Sequence, residues 1–188
     1  MADFDINQIA STLDSEDMIG FTRSFVEDIR KGLNAVNIDR YPWIEEISSG
    51  QWQGVLALGM GGSAAGGDFL SSICDLKGSI PVVVQRDYVI PAWWDDQWLV
   101  IATSHSGNTE EAIEATEIAL KSGATVIVIS TGGILSGLAE LHYNCYLIPS
   151  IGGQPPRSAF GHIFARQLAL FRCLGLSLIH ISEPTRPY

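Results

Sequence analysis

The chain is short of positive charge: 11 lysines and arginines stand against 21 aspartates and glutamates in 188 residues, a net charge of −10. Binding a polyanion relies on clustered basic side chains that release counterions, so nucleic acid is excluded as a partner. Cysteine is scarce as well. Cys74, Cys145 and Cys173 have no paired spacing and lie in or beside apolar runs, which reads as reduced, buried thiols and not as a disulfide framework. His105, His142, His162 and His180 are too scattered to form a local metal motif with one another or with those cysteines. Neither a metal nor another cofactor is implied. No apolar run reaches membrane-spanning length, and Met1-Ala-Asp-Phe-Asp lacks the basic start and apolar core of a signal peptide, so the expectation is a cytoplasmic protein with no membrane partner.

What is present is the composition of a globular domain, 46% apolar with 17% charged, on a chain long enough for one α/β domain or a domain with arms. Five short apolar runs, at 54–58, 81–85, 98–104, 125–130 and 144–148, are separated by helical patterns at 63–74, 109–121 and 134–141. All but the last run read as buried strands. Alternation of this kind specifies a parallel sheet covered by helices on both faces. A final helix is predicted over 157–173. Ahead of the first strand, Met18, Ile19, Phe21, Phe25, Val26, Ile29 and Leu33 recur at roughly helical spacing, predicting one amphipathic helix over 15–38 that lies outside the sheet and ends at Tyr41-Pro-Trp43.

Between the third strand and its helix stands Ser104-His-Ser-Gly-Asn-Thr-Glu-Glu111. A helix start presents unpaired backbone N–H groups and the positive end of the helix dipole, and short hydroxyl side chains add donors without bulk. Asn108 or Thr109 followed by acidic residues also makes an ordinary helix cap, but capping uses one such side chain. Three hydroxyls around one glycine, Ser104, Ser106 and Thr109, point to a phosphate. Glu110 and Glu111 read as first-turn acids complementing the dipole, not as catalytic bases. Strand alternation turns the His105 side chain away from the ligand.

A second glycine-rich turn, Gly59-Met-Gly-Gly-Ser-Ala-Ala-Gly-Gly67, follows the first strand. Gly59, Gly61 and Ala64 satisfy the dinucleotide pattern G-x-G-x-x-G/A, and in that alternative Arg86 or Asp87 meets the ribose or its phosphate. The pattern is weak alone, because any tight strand-to-helix turn wants glycine. The serine turn has no part in holding a pyrophosphate at the first turn. Two polar strand-end loops facing one crevice favour a monophosphate held from both sides.

Gly59-Met-Gly-Gly-Ser-Ala, Ser104-His-Ser-Gly-Asn-Thr-Glu-Glu and Pro155-Pro-Arg-Ser-Ala-Phe-Gly161, in this order and spacing, resemble the sugar isomerase (SIS) domain of the bifunctional phosphoglucose/phosphomannose isomerase family. The similarity runs from about Asp17 to Gly175. It implies a three-layer αβα sandwich with a central five-stranded parallel sheet preceded by an N-terminal helix. It divides the chain into a helical arm (1–45) and the first of two SIS domains (46–175). By resemblance, Gly61, Gly62 and Ser63 line the sugar-phosphate site, Ser104, Ser106 and Thr109 bind the phosphate, and Arg157 sits near the C1 and C2 oxygens as the catalytic oxyanion stabiliser. The activity implied is interconversion of glucose or mannose 6-phosphate with fructose 6-phosphate through an enediolate, by a homodimer at full length. The family draws its base and ring-opening groups from a second half that this sequence lacks, so the fragment is expected to be inactive. A non-catalytic sugar-phosphate sensor is the alternative, since SIS domains also serve as regulatory modules. The segment 176–188 breaks the helical pattern and reads as a non-native, adapter-derived tail.

Overall fold

In β3 (Trp98–Ser104), Leu99 and Ile101 enter one core while Val100 and Ala102 enter another. Successive side chains of a strand point to opposite faces, so an unbroken apolar run needs cover on both. The computed structural model describes residues 6–77 and 80–176 and supplies that cover. With β1 (Gly54–Leu58), β2 (Val82–Gln85), β4 (Val126–Ser130) and β5 (Cys145–Pro149), β3 forms a five-stranded parallel sheet in the order β2-β1-β3-β4-β5. Helices α4 (Gly61–Lys77) and α7 (Phe160–Cys173) cover one face, and α5 (Glu110–Lys121) and α6 (Gly133–Leu141) the other. This is the three-layer αβα sandwich with a central five-stranded parallel sheet that the resemblance implies. Every strand lies within one residue of its expected run.

The N-terminal region departs from expectation. Three helices stand there, α1 (Ile6–Leu13), α2 (Met18–Asn34) and α3 (Trp43–Ser48), in place of a single one over 15–38. Helix α2 starts at Met18 because the Asp14 carboxylate accepts the backbone N–H groups of Met18 and Ile19, each at 2.8 Å. It stops at Asn34, after which Val36 turns into the core and the Asn37 side chain accepts the Arg40 N–H at 2.9 Å. Pro42 then serves as the N-cap of α3, so Pro-Trp opens a helix and does not close the one before it, which has already ended at Asn34. Ile44 and Ile47 plug into the same core as Val36. Helix α2 packs on α7, with Phe25 stacked on Phe160 at 6.5 Å. Asp14→Ala is expected to cost about 1 kcal/mol, the usual worth of a helix cap, read as a lower urea midpoint at unchanged slope.

All three cysteines are free thiols, Cys74 and Cys145 buried and Cys173 half-buried; burial pushes the Cys145 thiol up to about 12, so it stays protonated. Among the described residues, no helix is long and apolar enough to cross a membrane. The tail expected over 176–188 lies outside the described residues, apart from its first, Leu176, which is packed in the core.

Candidate functional site

From β1 the chain passes through α4 to β2 at one edge of the sheet, while from β3 it passes through α5 to β4 on the other side. The connections therefore leave neighbouring strands in opposite directions and open a crevice at their carboxyl ends, the switch point where ligands of such sheets bind. The glycine turn after β1 and the serine turn after β3 are its two walls. A cavity of about 370 Å³ lies between them, lined by Gly61, Gly62, Ser63, Ser104, His105, Ser106, Thr109, Pro156 and Arg157. All seven residues singled out from the sequence thus meet in one place. The dinucleotide alternative asks for Arg86 or Asp87 there, but neither lines the cavity and Arg86 pairs with Asp68 of α4. A larger cavity of about 530 Å³ adjoins at Gly62 and Arg157, and its wall is aromatic: Phe21, Phe25, Phe69 and Phe160.

The serine turn is internally bonded. Ser104 is buried, and its Oγ lies 2.8 Å from Thr109 Oγ1 while accepting the Gly107 N–H at 3.1 Å. The exposed Ser106 accepts the Asn108 N–H at 3.2 Å. Thr109 is the N-cap of α5 yet makes no side-chain cap bond, so its hydroxyl belongs to Ser104 and the cavity. Just beyond it the first turn of α5 brings backbone N–H groups that no helical carbonyl can take. Hydroxyls and N–H donors converging at a helix start suit an anion.

One element of the site has no counterpart in the expectations: the turn after β4, Ser130-Thr-Gly-Gly133. Thr131 donates both its N–H (3.2 Å) and its hydroxyl (2.7 Å) to the His105 carbonyl. The Ile134 N–H reaches the Asn108 side chain at 3.1 Å, and the Leu135 N–H reaches the Gly107 carbonyl at 3.0 Å. The serine turn is therefore clasped from the side. A serine followed by glycines at another strand end was the available signal.

His105 also differs. Strand β3 ends at Ser104, so alternation no longer governs the next residue; His105 faces the cavity, with its Nε2 3.0 Å from the Gln154 carbonyl oxygen. Arg157 stands on a turn that precedes α7, closed by the N–H groups of Ser158 and Ala159 on the Pro155 carbonyl. Its guanidinium pairs with Glu16, ahead of α2, and both side chains are largely exposed. Glu16 is thus a second residue that sequence reasoning missed.

Behind Arg157 lies a buried polar group. Asp28 of α2 and His162 of α7 are both almost fully enclosed, with His162 Nε2 3.2 Å from Asp28 Oδ1. Burial pushes the His162 pKa below its ordinary 6.5; the Asp28 carboxylate opposes this, and Arg166, Lys31 and His105 add to the lowering. The sign follows: the unfolded chain binds this proton more tightly, so stability falls as pH drops from about 6.5 toward the lower folded value. His162→Gln is expected to flatten that part of a melting-temperature profile against pH.

Comparison with known proteins gives one consistent set of likenesses, although no family model matches the chain. A bifunctional phosphoglucose/phosphomannose isomerase of Caldicellulosiruptor bescii is 48% identical over 123 residues, 65% of this chain and 36% of that protein. Its namesake in Thermoplasma volcanium is 39% identical over 125 residues, 66% of this chain and 38% of that protein. The chain thus spans well under half the length of these curated relatives. Among solved structures, tagatose-6-phosphate ketose/aldose isomerase from Escherichia coli superposes with a TM-score of 0.62 at 21% identity, over 81% of this chain and 48% of that one. The NanR protein of Vibrio vulnificus, complexed with ManNAc-6P, superposes at 0.61 and 17% identity, over 89% of this chain and 65% of that one.

Proposed function

We propose, for a chain similar over about two thirds of its length to bifunctional phosphoglucose/phosphomannose isomerases, that it is the substrate-gripping part of an aldose-ketose isomerase. The reaction is interconversion of glucose 6-phosphate or mannose 6-phosphate with fructose 6-phosphate, in a cytoplasmic homodimer of the relatives' length. The observation that carries this reading is the meeting of both strand-end loops and Arg157 in one cavity at the switch point.

The phosphate takes the hydroxyls of Ser104, Ser106 and Thr109 with the N–H groups at the start of α5. Gly61 has φ +50 and no atom near its missing side chain, so the turn after β1 can bring bare backbone to the sugar beside Ser63. Isomerisation removes a proton from C2 and leaves an enediolate. A guanidinium at Arg157 stabilises that oxyanion as it develops.

The titratable side chains lining the cavity are His105 and Arg157, and His105 Nε2 is engaged by the Gln154 carbonyl; Glu110 and Glu111 are not among its walls. The base is therefore proposed to come from another part of an active isomerase, and this chain alone is expected to turn over at least about 10²-fold more slowly, the low end of what a positioned base contributes. Calorimetric titration with fructose 6-phosphate tests the binding itself: a folded chain that takes up no sugar phosphate refutes the proposal. Glu16 competes with the substrate for Arg157, and an exposed ion pair is worth about 0.2–1 kcal/mol. Glu16→Gln should accordingly tighten fructose 6-phosphate by roughly 1.5- to 5-fold in the same titration.

A further inference from the structure

Arg157 is carried by a segment that is loose on one side and stiff on the other. Behind it, Gly152 and Gly153 give the backbone freedom, and Gly153 has φ +88. Immediately before it, Pro155 and Pro156 fix two successive φ angles, so whatever holds Gln154 is transmitted to Arg157. Gln154 is held from two directions. Its carbonyl oxygen lies 3.0 Å from His105 Nε2, on the serine turn between Ser104 and Ser106. Its side-chain amide donates to Asp28 Oδ2 at 3.1 Å and lies 3.1 Å from His162 Nε2.

The far end of that anchor is itself fixed. Asp28 also receives the Ser24 hydroxyl at 3.2 Å, and a buried carboxylate holds such donors firmly. The buried Arg166 donates to the carbonyls of His162 (3.0 Å) and Pro149 (3.1 Å), tying α7 to the end of β5. Gln154 therefore joins the serine turn, the buried Asp28–His162 pair and the proline-stiffened step to Arg157.

We propose that Gln154 is a positioning residue: anchored on Asp28 by its side chain and on His105 by its carbonyl, it sets where the Arg157 guanidinium stands relative to the serine turn. The inference rests on the sugar-phosphate reading of the cavity. It assigns Gln154 no contact with substrate; the residue acts through Arg157.

The test is a titration of the chain and its variants with fructose 6-phosphate and, separately, with inorganic phosphate, which needs the serine turn and not Arg157. Gln154→Met keeps the bulk and removes the amide, and should weaken fructose 6-phosphate about 10-fold, the scale of a lost hydrogen bond to a buried charge. Phosphate affinity should stay within about 2-fold, since the bond from His105 uses the main-chain carbonyl. In an Arg157→Ala background the same change should add nothing, because a residue that acts only through Arg157 has no path once Arg157 is gone. Additive losses, or a Gln154→Met chain that binds fructose 6-phosphate like the wild type, overturn the proposal. A wild-type chain that binds neither ligand overturns the functional reading and this inference together. Gln154→Ala carries the same comparison should the methionine variant fail to fold.

Discussion

Gly107→Ala is expected to remove phosphate binding and to cost roughly 2–5 kcal/mol of stability, the sum of a left-handed backbone penalty and a steric one. Gly107 has φ +70, where a side chain is strained in any surroundings. Its surroundings are also closed: an added β-carbon would stand 1.8 Å from the Gly132 carbonyl oxygen and 2.6 Å from Ser130 Oγ. That carbonyl cannot swing aside cheaply, because it accepts the hydroxyls of Ser130 and Ser136, each at 2.9 Å. The serine turn or the turn after β4 must move, and either movement separates Ser104 from Thr109 or opens the clasp on His105. Urea unfolding and a phosphate titration check both halves. A variant with the wild-type midpoint and affinity shows that the turn does not need this packing.

The other large effect belongs to Arg157. In a protein of the relatives' length that carries this segment, Arg157→Ala should lower kcat by about 10²-fold or more, the scale of one oxyanion donor, with a smaller change in KM. Under the proposed mechanism the split follows from when the charge appears, because the guanidinium would meet oxygens gaining negative charge in the transition state and only neutral oxygens before it. Arg157→Lys should recover part of the loss, since an ammonium restores charge without the planar fork. Steady-state kinetics in a coupled assay give the answer. The same variant separates the two functional classes: a protein that merely senses sugar phosphates keeps most of its response without Arg157.

The strands and the two strand-end loops were legible in the sequence because each rests on a local pattern: an apolar run, a glycine or serine cluster, then a helical period. Helices α1 and α3 were not, being short, the second hidden behind a proline that reads as a terminator. The cavity walls were legible for a similar reason, since a strand-to-helix turn carries its chemistry in consecutive residues. Glu16 and Gln154 were illegible because their contacts are with remote partners, and the turn at 130–133 displayed its serine and glycines without showing what it clasps. His105 was misplaced by extending strand alternation one residue past the end of β3. The general lesson is physical: consecutive residues reveal what a loop can hold, and only the fold reveals what holds the loop.

The wide spacing of the site's bonds also sets the order in which it can form. The clasp on the serine turn joins residues 26 apart, the bond from His105 to the Gln154 carbonyl spans 49, and the anchor from Gln154 to Asp28 spans 126. Closing a longer loop costs more chain entropy and delays the contact that rewards it. During refolding the serine turn should therefore gain protection first and Arg157 reach its place last, once α2 has docked on α7. Recovery of sugar-phosphate binding would then lag recovery of sheet structure, making ligand uptake a readout of the final folding step.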